Sequence, residues 1–528
     1  MPYDGDVVRP VARTAVACLL AVGLAASCGP STADPPATPP AARSAAPTLT
    51  VAYAEPQSRE VVERGIDRIV NLLSSERLVT IRRDGRPQPR LAERWQVSPD
   101  GLTWRLTLRD GLTFHDGQPI TASAVQAAIG PPSPPDDSET LPGLRDVVAI
   151  EAPTPREVVL RLKRPNAFVL ESLNLAPIRS STGADAGPFR RTARTTGKAV
   201  MARFDGYYRG QPSLTSIGIA EYPSQREAWS AMLRGDVDLL WDVAPDAFEF
   251  VKEAPNTHVA TFLRPFVTAL TFNAGHPVLG RREVRRALNL AVDRRQGIEA
   301  TAGGRALPAT DHIWPNHWAR DAAAPAFGFD PAAARALLDG AGVRLRSKAG
   351  SSSRFTFTCL VQDDPRYERL ALLLQRQLLS LDVDMQLQAL PQPEFNARLA
   401  AGRFDAFLTE VIAGHGLDLT YMMWHSKPAG PYFRTGYGAA NAVLDRLRDA
   451  RSDDDTRTAV RALQRTMFDD PPAVFIYWPV ASRAVSRRFV IPGEEGHDPL
   501  STVAQWQLGD GRLTGAADRA APPVAARP

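Results

Sequence analysis

From Leu102 to Arg109 apolar and polar residues alternate: Leu102, Trp104, Leu106 and Leu108 against Thr103, Arg105, Thr107 and Arg109. A period of two predicts a strand with one buried and one wet face. Asp-Gly pairs at Asp100, Asp110 and Asp116 punctuate the same stretch. They predict turns, because glycine takes positive φ at little cost and aspartate tolerates the adjoining position. The competing reading, a calcium loop, needs oxygen ligands at alternating positions and a bidentate Glu at the twelfth. Leu102 and Trp104 occupy those alternating positions after Asp100, and no Glu lies between Glu93 and Glu139, so calcium is excluded. The order predicted is strand, turn, short strand, turn, and then a helix capped by Thr121. His115, alone at a turn, reads as structural rather than as a metal ligand.

Further along, the period changes repeatedly. Ala228, Met232 and Leu233 fall at helical spacing, Gly235 closes that helix, and the apolar "VDLLW" predicts a short strand. Val284, Leu288, Ala291 and Val292 form one helical stripe, and Leu370, Leu373, Leu374, Gln377, Leu378 and Leu381 form another. Immediately afterwards Val383, Met385, Leu387 and Ala389 switch to period two. Helix into strand, repeated, is the α/β pattern.

A chain of 528 residues is too long for one core, so two or three lobes are expected. Composition is ordinary for a globular protein, at 44% hydrophobic and 23% charged. Net charge is +4, and only five of the 62 basic residues are lysines (Lys163, Lys198, Lys252, Lys348, Lys427). The arginines are scattered among acids with no long basic run, which argues against a nucleic-acid partner. The N-terminus changes the picture more. Arg9 and Arg13 precede "TAVACLLAVGLAAS", too short to span a bilayer as a mature helix. The run ends in "LAASC" and resembles a bacterial lipoprotein signal, which implies lipidation of Cys28. "PSTADPPATPPAARSAAP" then reads as a disordered tether. Cys359 is left alone in "FTFTCL" and reads as a buried structural thiol.

The ordered motif "LAERWQVSPDGLTWRLTLRDGLTFHDGQPITASAV" resembles the signature of the family 5 solute-binding proteins of ABC importers, the peptide- and nickel-binding group. Similar segments follow at "ARFDGYYRGQPSLTSIGIAEYPS", "QREAWSAMLRGDVDLLWDVAPDAFEFV", "VTALTFNAGHPVLGRREVRRALNLAVDRRQGIEA" and "AGRFDAFLTEVIAG", so the likeness runs from about Leu49 to Gln507. It implies an α/β, two-lobed periplasmic-binding-protein fold of class II, the large peptide-binding type, with a hinge. Because "GPPSPPDDSETLPG" cuts across the usual helix-rich segment, the accessory subdomain is expected to be reduced. The expected division is a signal at 1–28, a tether at 29–48, a first lobe at 49–80, 176–264 and 481–510, an accessory subdomain at 81–175, a second lobe at 265–480 and a disordered tail at 511–528.

No GxxxxGK[ST], HExxH, GxSxG or CxxC occurs in a fitting context, so the expectation is a binder, not an enzyme, with no cofactor and no metal. Ligand-facing candidates are Trp241, which ends "VDLLW"; Asn273, at a strand end; and the crowded segment "HGLDLTYMMWHS", with Asp418, Tyr421, Met422, Trp424 and His425. Bulky, adjacent residues without a clear core period read as a loop lining a cleft that accepts varied side chains. The alternative is that half of them pack beneath it. The resemblance also implies an Asp that anchors a peptide's free amine. That place falls near Ala413-Gly414, so either Asp418 takes over or the ligand lacks a free amine. The expected function is capture of a peptide or peptide-like solute by a monomer outside the cell membrane, lipid-anchored, for an ABC permease. The alternatives are a nickel-chelate or saccharide binder, a sensor or scaffold lipoprotein, and an exported enzyme.

Overall fold

The computed structural model describes residues 47–54, 65–130, 140–348, 351–426, 433–493 and 496–509. The signal, most of the tether, Cys28 and the tail lie outside the described residues.

A single strand, Ala473–Ser486, organises the molecule. Its first part pairs antiparallel with Phe266–Phe272 through Ala473 to Tyr477, and its last part pairs with Thr257–Leu263 through Val480 to Ser486. On the first side the sheet continues through Ala406–Ile412 and Phe355–Gln362 to an edge at Val383–Leu390. On the other side it continues through Leu239–Leu240, Thr48–Ala54, Ser216–Tyr222 and Lys198–Arg203 to Phe189–Thr195. The two halves meet at a seam marked by prolines. Pro265 separates the strands Thr257–Leu263 and Phe266–Phe272, and Pro479 stands between the two ladders of the long strand. Proline has no N–H to give a ladder, so it belongs where pairing is handed from one partner to another. The Arg264 amide nevertheless donates to the Pro479 carbonyl at 2.9 Å and ties the seam together.

Each half carries its own core. Leu49, Val51, Ile69, Leu73, Ile217, Leu239 and Val485 pack in the first lobe. In the second, the two predicted helical stripes meet Leu270, Phe357, Val383 and Ile476. Cys359 is fully buried there, and burial pushes its thiol far above the usual range. A second cluster in the same half collects Trp314, Tyr421, Trp424, Phe475 and Trp478.

A four-stranded antiparallel sheet packs separately, in the order Ala92–Val97, Thr103–Leu108, Glu157–Leu162, Val147–Thr154, with the helix Ala122–Ile129 against it. The three Asp-Gly pairs are its corners: Gly101, Gly111 and Gly117 have φ of 74°, 66° and 83°. Leu106 and Leu108 are buried, and Thr121 caps the helix by accepting from the Ala124 amide at 3.2 Å. His115 sits at the third corner with Nε2 2.9 Å from the Gly187 carbonyl, and burial lowers its pKa.

Several local expectations fail. Both helical stripes overrun their helices: Ala291 and Val292 follow Arg282–Leu290, and Leu381 follows Pro365–Leu379. The short strand expected between Asp110 and Asp116 is only an isolated bridge between Thr113 and Pro119. Leu233 is 47% exposed, because Gly235 ends the helix just where the stripe would reach solvent. Period two also slips at the end of Val383–Leu390, where Ala389 is exposed and Leu390 buried.

Candidate functional site

Where the halves face one another, a cavity of about 580 Å³ opens beside the seam. Its walls come from both lobes: Tyr53, Arg68 and Trp241–Val243 on one side, Thr301, Arg305, Arg366, Tyr367 and Tyr477 on the other, and Phe262–Phe266 with Pro479–Arg483 along the floor.

The best-fixed feature is Trp241. It ends the strand Leu239–Leu240, so its ring leaves the sheet at the edge of the core. The Arg483 guanidinium lies 3.5 Å from the indole centroid, within cation–π range, and donates to the Trp241 carbonyl and to both Asp498 oxygens, at 2.7 and 2.6 Å. Arg68 lies 5.7 Å from the same ring, and Tyr53 6.4 Å. Asp242 follows. Burial pushes its carboxyl upward against the pull of Arg483, Arg366 and Arg68.

On the facing wall Arg264 and Glu410 pair at 2.9 Å, largely out of water. The Arg264 guanidinium also lies 4.8 Å from the Phe266 ring. Tyr477 and Thr301 share a hydrogen bond of 3.1 Å between their hydroxyls. Burial, then the Glu410 charge, drives the Tyr367 phenol upward, so it stays a neutral donor. His415 lies against Trp314 at 4.6 Å. Burial, then the Arg83 charge, takes its pKa down to about 4, so the imidazole is neutral near pH 7.

Of the residues expected to face ligand, Trp241 lines this cavity and the others do not. Asn273 is used by its own turn: its amide donates to the Phe404 carbonyl at 2.8 Å and accepts from the Gly275 amide at 2.9 Å. The expected loop is a helix, Asp418–Trp424, every residue of which is buried. The Tyr421 ring packs 5.3 Å from Phe168 and 4.7 Å from His425, and its hydroxyl accepts from Arg448 at 3.1 Å. Met422 is buried in the same cluster. Trp424 packs edge-on against His312 and Phe475, both at 5.5 Å. His425 lies 3.4 Å from Asp445.

Asp418 also turns inward. It accepts from the Leu419 amide at 2.8 Å and from Ser172 at 3.3 Å, beside Glu171, whose carboxylate caps the same helix by accepting from the Leu417 and Asp418 amides, both at 2.7 Å. Burial raises both carboxyls, and the Asp418 charge raises Glu171 further. The wall arginines, Asp242, Glu410 and His415 were missed. The available signal was weak: "LRPF" places an arginine and a proline between two strands, and "WPVASR" places a proline and an arginine within one long apolar strand.

Two lobes sharing a strand, with a ligand-sized cavity at the seam, define a hinged binding protein. The family model described as "Bacterial extracellular solute-binding proteins, family 5 Middle" matches residues 86–433, and the chain belongs to that family. Its relatives include the probable D,D-dipeptide-binding periplasmic protein DdpA of Escherichia coli (strain K12), 25% identical over 80% of this chain and 87% of that one. The fold is shared with AppA of Bacillus subtilis, an oligopeptide-binding protein solved with a nonapeptide (TM-score 0.72, 17% identity, 88% of this chain and 99% of that one). It is shared equally with NikZ of Campylobacter jejuni, solved with Ni(L-His) (TM-score 0.72, 20% identity, 87% and 99%). The family is a substrate-binding component of importers, extracytoplasmic and not enzymatic.

Proposed function

We propose that this chain captures a peptide or peptide-like solute in the seam cavity and presents it to an ABC permease, held at the outer face of the cell membrane through lipidated Cys28. The observation that carries the reading is the cavity itself. Its volume of about 580 Å³ suits a short peptide, and its two walls belong to lobes that share one strand at a proline-marked seam. Ligand held between such walls favours the closed form, which is the form a permease can distinguish from the empty one.

Thermal melts with a mixed short-peptide pool test the capture step. A ligand at a hundred times its Kd adds roughly 2.7 kcal/mol to native stability, and no shift with any pool overturns the peptide assignment. Native mass spectrometry of protein purified from cells identifies any retained solute. The anchor is tested by Cys28→Ser, which is expected to release the protein from membranes without changing its melting. Several acyl chains at about 0.8 kcal/mol per buried CH₂ make attachment nearly irreversible. A variant that stays in the membrane fraction after high-salt washing rules the anchor out.

A further inference from the structure

Another Asp-Gly pair, Asp84-Gly85, forms the tip of a hairpin whose strands are Val79–Ile81 and Pro87–Pro89. The tip closes on itself. The Gly85 amide donates to the Arg82 carbonyl at 2.9 Å, the Arg82 amide donates to the Arg86 carbonyl at 2.8 Å, and Gly85 takes a φ of 80°. Leu78 and Val79 root the hairpin in the core of the four-stranded sheet. The chain reaches it from the first-lobe helix Asp67–Ser74, and Ser75, Arg77 and Arg83 line the cavity on the way.

From Arg83 to Arg86, each residue of the tip then meets the second lobe. The Arg83 carbonyl accepts from Trp314 Nε1 at 2.6 Å, and the Asp84 carbonyl accepts from the Trp318 amide at 2.9 Å. Gly85 lies against the His317 ring, where a Cβ would stand 2.3 Å from a ring carbon. His317 is held in place, because it is buried and its Nδ1 accepts from the Ala319 amide at 3.2 Å. The Arg86 guanidinium forks onto Asp453 at 2.8 and 2.6 Å and lies 3.5 Å from the Trp318 ring centroid.

We infer that this hairpin is a clasp, which fastens the first-lobe side of the cavity to the second lobe when the protein closes and lets go as a unit when it opens. The inference rests on the binding function proposed above and adds the part that holds the closed form. An exposed ion pair alone holds little. Here it is joined to two hydrogen bonds, a ring face and a glycine contact, all made by four consecutive residues. The clasp also reaches the solute. Arg83 lines the cavity, and so does His415, whose ring lies 4.6 Å from Trp314. A solute resting against both touches both halves of the clasp and favours the fastened form.

Hydrogen exchange at the Trp318 amide tests this, because its acceptor is on the hairpin while its own loop is in the second lobe. The Arg320 amide, which donates to the His317 carbonyl within that loop at 2.9 Å, reports whether the loop itself unfolds. In the full chain, Arg86→Ala is expected to lower Trp318 protection at least threefold and Gly85→Ala at least tenfold, with Arg320 unchanged in both. Arg82→Gln, whose side chain turns back to Asp84 at 3.5 Å, should change neither amide. A mixed short-peptide pool is expected to raise Trp318 protection in wild type at least threefold. If Gly85→Ala fails to fold, Arg86→Ala decides. Unchanged Trp318 protection in folded Arg86→Ala, or loss at Trp318 and Arg320 together, overturns the clasp. So does a pool that raises the melting temperature without protecting Trp318, and that outcome leaves peptide capture intact. Variants that behave as expected, with no response to any pool by melting or exchange, keep the clasp and overturn the peptide assignment.

Discussion

Two aromatic groupings among the described residues, one around Trp424 and one around Trp241, behave differently. Around Trp424 the neighbours are Tyr421, His312, Phe475 and Tyr437, and Trp424 is only 1% exposed. Trp241 is also buried, at 7% exposure and against the first lobe's core, but its ring meets Tyr53 and two guanidinium groups and borders a cavity. Ring count does not separate the two. What separates them is the company: apolar rings close a core, whereas rings that orient cations leave a polar surface able to meet a ligand. An indole with guanidinium neighbours is therefore a better pointer to a binding wall than a run of bulky residues.

The strongest way to break this comparison is to truncate both indoles. Trp424→Ala is expected to cost about 3–5 kcal/mol of folding stability, with ligand or without it, because it opens a cavity in a sealed core. A small change in the apo melt would put Trp424 outside the core and end the contrast. Trp241→Ala should instead act mainly on affinity, by roughly 2 kcal/mol or more, at least about 30-fold in Kd, with a smaller apo effect than Trp424→Ala. If its apo loss equals that of Trp424→Ala and affinity is unchanged, Trp241 is core as well.

The smallest effect sharpens the comparison through pH. Glu171 and Asp418 sit at the start of the Trp424 helix with both carboxyls raised. In the folded chain they hold protons that the unfolded chain releases, so stability falls as pH climbs from the ordinary carboxylate range towards the raised values. Glu171→Gln stays neutral and keeps an oxygen for the two amides. Relative to that variant, wild type should lose on the order of 1 kcal/mol between pH 5 and pH 8. A wild type that gains over this interval would show the pair to be ionised and satisfied.

Much of the fold was legible because burial repeats locally. Val284 and Leu288 share one helix face, Leu106 and Leu108 share one strand face, and each Asp-Gly corner needs only its own two residues. The helix Asp418–Trp424 was not legible. Buried on every side, it has no polar face and so no period to detect. The cavity wall was hidden for the opposite reason. Arg68, Arg264, Arg366 and Arg483 are isolated charges far apart in the chain, each resembling a solvated surface residue, and only the sheet brings them together. Trp241 was found because a bulky aromatic ends an apolar strand. Asn273 had the same credentials and was consumed by its turn.

The long strand Ala473–Ser486 also dictates a timetable. It contributes a central strand to both halves of the sheet, pairing with partners that begin as early as Leu239. A chain that emerges N-terminus first delivers this strand well after those first partners. Until then neither half can complete its ladder, and Thr257–Leu263 and Phe266–Phe272 wait with open edges. Release of the C-terminus therefore completes both lobes at once, and a chain cut before Ala473 is left with two unfinished halves rather than one finished lobe.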